Sequence, residues 1–182
     1  MLAQAEARKR QLVPGWNTPN GWAAENMANA GGTIWTREVA STAVVLTVRD
    51  DEPRAVLEYV VQRFNAEVHS LNATDAVGFD PATRGRGALA NLASGTAVNI
   101  LPGFYPRGGG DEMYDHEVRT VQDILRGCAG LVGWGGEARP RSQGFFYLQV
   151  PPGSRLLKDW VAKRREDREH LGIPAVGRPL GV

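Results

Sequence analysis

A chain of 182 residues with 42% hydrophobic and 23% charged residues has the size and balance of one soluble globular domain with a short arm at each end, long enough to bury a core without staples. Its net charge of +1 supplies no bulk field toward nucleic acid or an anionic membrane, and no apolar run has the length of a bilayer span. The single cysteine, Cys128, excludes an internal disulfide and a multi-thiolate zinc site.

The first residues run straight into Glu6, Arg8, Lys9 and Arg10, so they lack the apolar segment of a signal peptide and predict synthesis in a cytoplasm. Good helix formers predict a short helix over Ala3–Leu12, which Pro14, Gly15, Pro19 and Gly21 break. Trp16 and Trp22 read as packing anchors, because large aromatics dominate burial. After the Gly31-Gly32 turn, strands are predicted over Thr33–Val39 and Ala43–Val48, the second apolar enough to be buried on both faces. Asp50 or Asp51 as N-cap, with Pro53 in the first turn, predicts a helix ending near Asn65. Val56, Val60 and Phe64, with Leu57 and Val61 beside them, form its core-facing stripe.

Residues 72–87 read as loop, punctuated by Gly78, Pro81, Gly85 and Gly87. Arg84 and Arg86 in this loop offer forks for a carboxylate, although solvated arginines are the usual state of such a segment. Asn91–Gly95 continues as a polar loop into a β-branched strand, Thr96–Ile100, stopped by Pro102-Gly103. Asp111–Asp115 opens a further helix with acids at its favourable end, an apolar face of Val118, Val121, Ile124 and Leu125, and a stop at Gly127. A turn at Leu131–Glu137 leads to the last strand, Phe145–Val150, where alternation sets Phe145, Tyr147 and Gln149 on one face and Phe146, Leu148 and Val150 on the other. Ser154 caps a final helix over Arg155–Arg168 with Leu156, Leu157, Trp160 and Val161 on its apolar face. The tail, Leu171–Val182, is extended and rich in Pro and Gly, and offers Ile173, Val176, Leu180 and Val182 for docking.

Two stretches in this order, Asn91–Ile100 and Trp134–Gln149, resemble the signature of the zinc D-alanyl-D-alanine carboxypeptidases and the related phage endolysin L-alanyl-D-glutamate peptidases. That family places Ser-x-His at the loop and an Asp seven residues after the His, with small residues between that match Gly95 and Ala97. It continues with a Trp-Gly-Gly turn, matched by Trp134, Gly135 and Gly136, and a strand carrying Glu-x-x-His. The metal-binding letters are not matched: Ala90 stands for the Ser, Leu92 for the first His, Asn99 for the Asp, Gly144 for the Glu general base and Tyr147 for the last His. Gln149 falls where the family often has a polar or acidic residue, Gly133 replaces the Arg beside the turn, and Ala82 lies near the position of a substrate-holding Arg.

The resemblance spans residues 33–150. It implies an α+β fold, a small antiparallel sheet flanked by helices, with an N-terminal arm and linker over 1–32 and a C-terminal helix and tail over 151–182. A catalytic zinc needs three ligands from His, carboxylate or thiolate, and a hydrolase needs a base for the metal-bound water. Leu92, Asn99, Tyr147 and Gly144 supply neither, so no metal, no cofactor and no catalytic residue is expected. Elsewhere, Glu112 and His116 share a helix face but read as a solvated helix start. Ser94 and Thr96 have no base, and Cys128 reads as a small apolar residue.

What the resemblance then implies is a non-catalytic, structural component of a bacteriophage virion, made in the host cytoplasm. Its tail or tail tip is favoured over a capsid or head decoration, and the partners are other virion subunits held through the terminal arms. The alternative is a module that grips peptidoglycan peptides without cutting them, along a vestigial cleft of Arg84, Trp134, Phe145, Tyr147 and Gln149. An active peptidase with a rearranged site ranks last. Neither a nucleic-acid nor a membrane partner is expected.

Overall fold

The apolar periodicity resolves into two antiparallel sheets and four α-helices in the computed structural model, which describes residues 2–172. Helix α1 (Leu2–Leu12) precedes a hairpin of β1 (Ile34–Glu38) and β2 (Val45–Arg49), and α2 (Glu52–Glu67) follows directly. The second sheet has the order β3-β4-β6-β5, built from Ala76–Val77, Ala97–Ile100, Phe145–Leu148 and Val132–Trp134. Helix α3 (Asp115–Gly127) lies between β4 and β5, α4 (Arg155–His170) follows β6, and a 3-10 helix, Ala88–Ser94, leads into β4. The fold is α+β, as expected from the sequence. Among the described residues no helix is long and apolar enough to cross a membrane.

The main core lies between the helices and one face of the sheets. Val56, Leu57, Val60, Val61 and Phe64 of α2 are fully buried and meet Phe146 and Leu148 of β6 and Val121 and Ile124 of α3. Ser154 caps α4 by accepting from the Leu157 N–H.

Several local expectations need correction. In β2 only one face is fully buried, with Leu46 and Val48 inside and Val45 and Thr47 half-exposed. Asp51 occupies the N-cap of α2 but at positive φ, 63°, with no side-chain cap; its neighbour Asp50 is engaged by Arg37 and Arg54 instead. The loop over 72–87 contains β3, because the outer edge of β4 recruits Ala76 and Val77 into antiparallel pairing. The polar loop before β4 is the buried 3-10 helix Ala88–Ser94. Helix α3 begins only at Asp115, leaving Asp111 and Glu112 outside it, and ends at Gly127 as expected, after which the chain turns at Ala129 and Gly130, at φ 51° and 82°. Leu156, assigned to the apolar face of α4, is 48% exposed.

The N-terminal segment divides in two. Every residue of α1 up to Gln11 is exposed, and only Leu12 is buried. Residues 16–25 pack on the body instead: Trp22 is buried in the main core and donates its indole N–H to the Val150 carbonyl at 2.9 Å. Arg49 ties the same segment down by donating to the carbonyls of Ala23 at 2.5 Å and Ser94 at 3.0 Å. Residues 173–182 of the tail lie outside the described residues.

Candidate functional site

Strand alternation decides which side chains meet. In β4 and β6, Val98, Ile100, Phe146 and Leu148 enter the main core, which sends Ala97, Asn99, Phe145 and Tyr147 to the opposite face. The register pairs Ala97 with Tyr147 and Asn99 with Phe145. The 3-10 helix covers this face and delivers Leu92 to it. Leu92, Ala97 and Phe145 form a second, buried apolar cluster, against which Leu89 and Tyr147 pack partly buried. The rings of Phe145 and Tyr147 stack with centroids 5.6 Å apart. Tyr147 also lies across Gly133 of β5: a Cβ there would sit 2.4 Å from the tyrosine Cζ, so the glycine makes the room that the ring fills.

The positions to which the resemblance gives a zinc site, Leu92, Asn99 and Tyr147, therefore share one face, but their donors do not fit the ion. Leu92 has no lone pair to offer and is 5% exposed. Asn99 is neutral, and its side-chain oxygen is buried without a hydrogen-bond partner among the described residues. Gly144, at the base position, has no side chain and no space for one, since a Cβ would stand 2.0 Å from the Ile100 carbonyl oxygen. Ala90 is buried in the 3-10 helix. Among the described residues no three His, Cys, Asp or Glu groups converge. His69 and His170 lie beside their local backbone carbonyls, and His116 stacks on Tyr114.

The proposed cleft is only partly assembled. Phe145 and Tyr147 are together, but Trp134 pairs with Phe146 and belongs to the main core. Its indole N–H is satisfied by the Gln143 carbonyl at 2.7 Å. Gln149 is exposed beyond the end of β6. Arg84 is exposed and stacks on Trp16, its Cζ 4.7 Å from the ring centroid, while donating to the carbonyls of Pro81 and Thr83.

Sequence reasoning missed a polar latch at the edge of this site. Thr18 donates to Ser94 at 2.8 Å, and Ser94 and Thr96 share a further 2.8 Å hydrogen bond. The Asn20 amide donates to Thr96 and to the Leu148 carbonyl, and its backbone N–H reaches Asn91. Ser94 and Thr96, weighed as nucleophiles, are thus structural hydroxyls. The latch joins residues 76 positions apart, and no local pattern announces such a pairing. Cys128 is fully buried, and burial pushes its thiol up to about 12, which keeps it protonated and unreactive. Comparison of the chain with protein-family models, curated proteins and solved structures finds no match.

Proposed function

We propose that this protein is a non-catalytic, peptidase-like structural component of a bacteriophage virion that acts through protein–protein contacts, in the tail or tail tip before a capsid or head decoration. One observation carries the non-catalytic part: where a metal would sit in the peptidases that the sequence resembles, Leu92, Ala97, Phe145 and Tyr147 fill the space with apolar side chains. Burying a divalent cation among them would strip its hydration with no charged ligand in return. The virion setting rests on the resemblance, and the assembly role is supported by an N-terminal helix that presents nearly all of its surface to solvent.

Two measurements on the purified chain test this reading. Elemental analysis after exposure to zinc and desalting is expected to give far less than one equivalent, and incubation with cell-wall sacculi is expected to release no D-alanine or stem peptide. Stoichiometric zinc together with peptide release overturns it. Firm retention on sacculi without cleavage favours the peptidoglycan-binding alternative. The virion assignment is checked separately, by mass spectrometry of intact particles from the host that encodes the chain.

A further inference from the structure

Two features lie far from the emptied site, and neither is used by it. The first is a groove of about 420 Å³ on the helical side, lined by Tyr59, Gly127, Leu156, Trp160, Arg164 and Asp167. Its floor is aromatic: Tyr59 and Trp160 meet edge to face at 5.4 Å. The Arg164 guanidinium lies against both, its Cζ 4.2 Å from the Tyr59 centroid and 5.8 Å from that of Trp160. It makes no ion pair or hydrogen bond among the described residues. A guanidinium set against aromatic rings, with no acceptor of its own, has N–H groups to offer a carboxylate, and partial burial, which holds its pKa below the ordinary arginine value, raises the gain from acquiring one.

The second is α1. An isolated helix of this length is marginal in water, yet α1 is attached to the body only near its end. Leu12 is buried, Asn26 donates to the carbonyl of Gln11, and Arg8 reaches the Ala30 carbonyl at 3.5 Å. At 3.6 residues per turn, the face turned away from Arg8 and Leu12 carries Leu2, Glu6 and Arg10. These stand at i, i+4 and i+8, apolar, then anionic, then cationic. The groove face of α4 presents Leu156 and Trp160, then Arg164, then Asp167 at nearly the same rise, apolar, then cationic, then anionic. Leu2 and Leu156, 85% and 48% exposed, are the bare apolar ends of the two stripes.

We propose that α1 of one copy docks in the Tyr59–Trp160 groove of a second copy, parallel to α4, with Leu2 against Leu156 and Trp160, Glu6 on Arg164 and Arg10 facing Asp167. This is helix-in-groove recognition between copies of the chain. It rests on the assembly reading above and supplies the surface that the reading needs. Reciprocal exchange closes a dimer, and head-to-tail exchange closes a ring or extends a filament.

Sedimentation velocity of the full chain over a wide concentration range provides the test. The natural protein is expected to shift to a larger species with rising concentration. Glu6→Arg and Arg164→Glu should each weaken association about tenfold or more, and combining them should restore most of the loss. Leu2→Ser, at an exposed position that folding does not use, should weaken it as well. A natural chain that stays monomeric throughout, or reversals that leave association unchanged, overturns the inference. The zinc and sacculus assays are independent of these outcomes. Hence a zinc-free, inactive monomer retires only this docking, and a zinc-loaded chain that still associates through Glu6 and Arg164 retires only the non-catalytic reading.

Discussion

Replacing Arg54 with leucine is expected to cost the fold about 3–5 kcal/mol, the range for removing one partner of a buried ion pair. Arg54 is 4% exposed, and its guanidinium gathers the open side of the β1–β2 hairpin. It donates to the carbonyls of Trp35, Leu46 and Val48, to Asp50 at 2.7 Å and to Glu58 at 3.2 Å. Leucine would leave those carbonyls and the buried Glu58 carboxylate without their donor. Lysine would recover the charge but not the planar fork that serves so many acceptors at once, so it should rescue only a minor part. Urea unfolding of the natural chain and both variants measures the differences. A loss under about 1 kcal/mol for Arg54→Leu, the scale of an exposed pair, would show that the network does not hold the hairpin.

The same network predicts a pH dependence. Burial pushes the Glu58 carboxyl above its ordinary value of 4.5, further than the charge and hydrogen bond of Arg54 draw it back. A carboxyl raised in the folded state binds its proton more tightly there than in the unfolded chain. Its contribution is therefore fully present below the unfolded value and is lost as pH rises through the folded one. Asp50 runs the other way: burial raises it, but hydrogen bonds from Arg37 and Arg54 hold it below 3.8, so its contribution is lost as pH falls through that depressed value. Glu58→Gln, which cannot ionise, should therefore gain on the natural protein as pH rises from the ordinary glutamate value toward neutrality. For Arg54→Leu the loss should be largest near neutrality and should shrink as Glu58 protonates. Unfolding at stepped pH checks both, and a difference that is flat across this window would contradict the assignment.

The α2 stripe was legible because Val56, Val60 and Phe64 recur at the helical period and all of them point into one core. Arg54 and Glu58 were not, since an arginine four residues before a glutamate is the usual pattern of a solvated helix face. Only the arrival of β1 and β2 turns that face inward. The alternation of β6 predicted its two faces, and with them the company of Phe145 and Tyr147. Trp134 sits on a three-residue strand, too short for alternation to show which way it points, and its turn toward Phe146 follows from pairing alone. Likewise β3 is two residues long and exists because β4 offers an edge. That Leu92, Asn99 and Tyr147 carry no imidazole, carboxylate or thiolate is plain letter by letter, whereas the packing of Leu92 against Phe145 and Tyr147 needed the register of β4 against β6.

Gly144→Ala is expected to be among the most damaging single-methyl changes in the chain, costing about 3 kcal/mol, at the upper end for overpacking a rigid site. The added Cβ would meet the Ile100 carbonyl oxygen at 2.0 Å and the Tyr105 Cβ at 3.3 Å. Neither can retreat cheaply. The Ile100 N–H donates to the Gly144 carbonyl at 2.7 Å at the end of the β4–β6 ladder, and Tyr105 is 1% exposed. Relief would require β4 and β6 to part where Asn99 and Phe145 pair, loosening the apolar cluster around Leu92. Gly87→Ala is the matched control: it sits at φ −80° with nothing within 4 Å of its added methyl, and it should change stability by no more than about 0.5 kcal/mol. Chemical unfolding of the two variants side by side reads the contrast. If both prove neutral, the backbones of Gly144 and Ile100 are not in the close contact described. If Gly144→Ala alone is crippled, that position is closed to any side chain, and the β4–β6 ladder could admit one only by rebuilding this sheet edge.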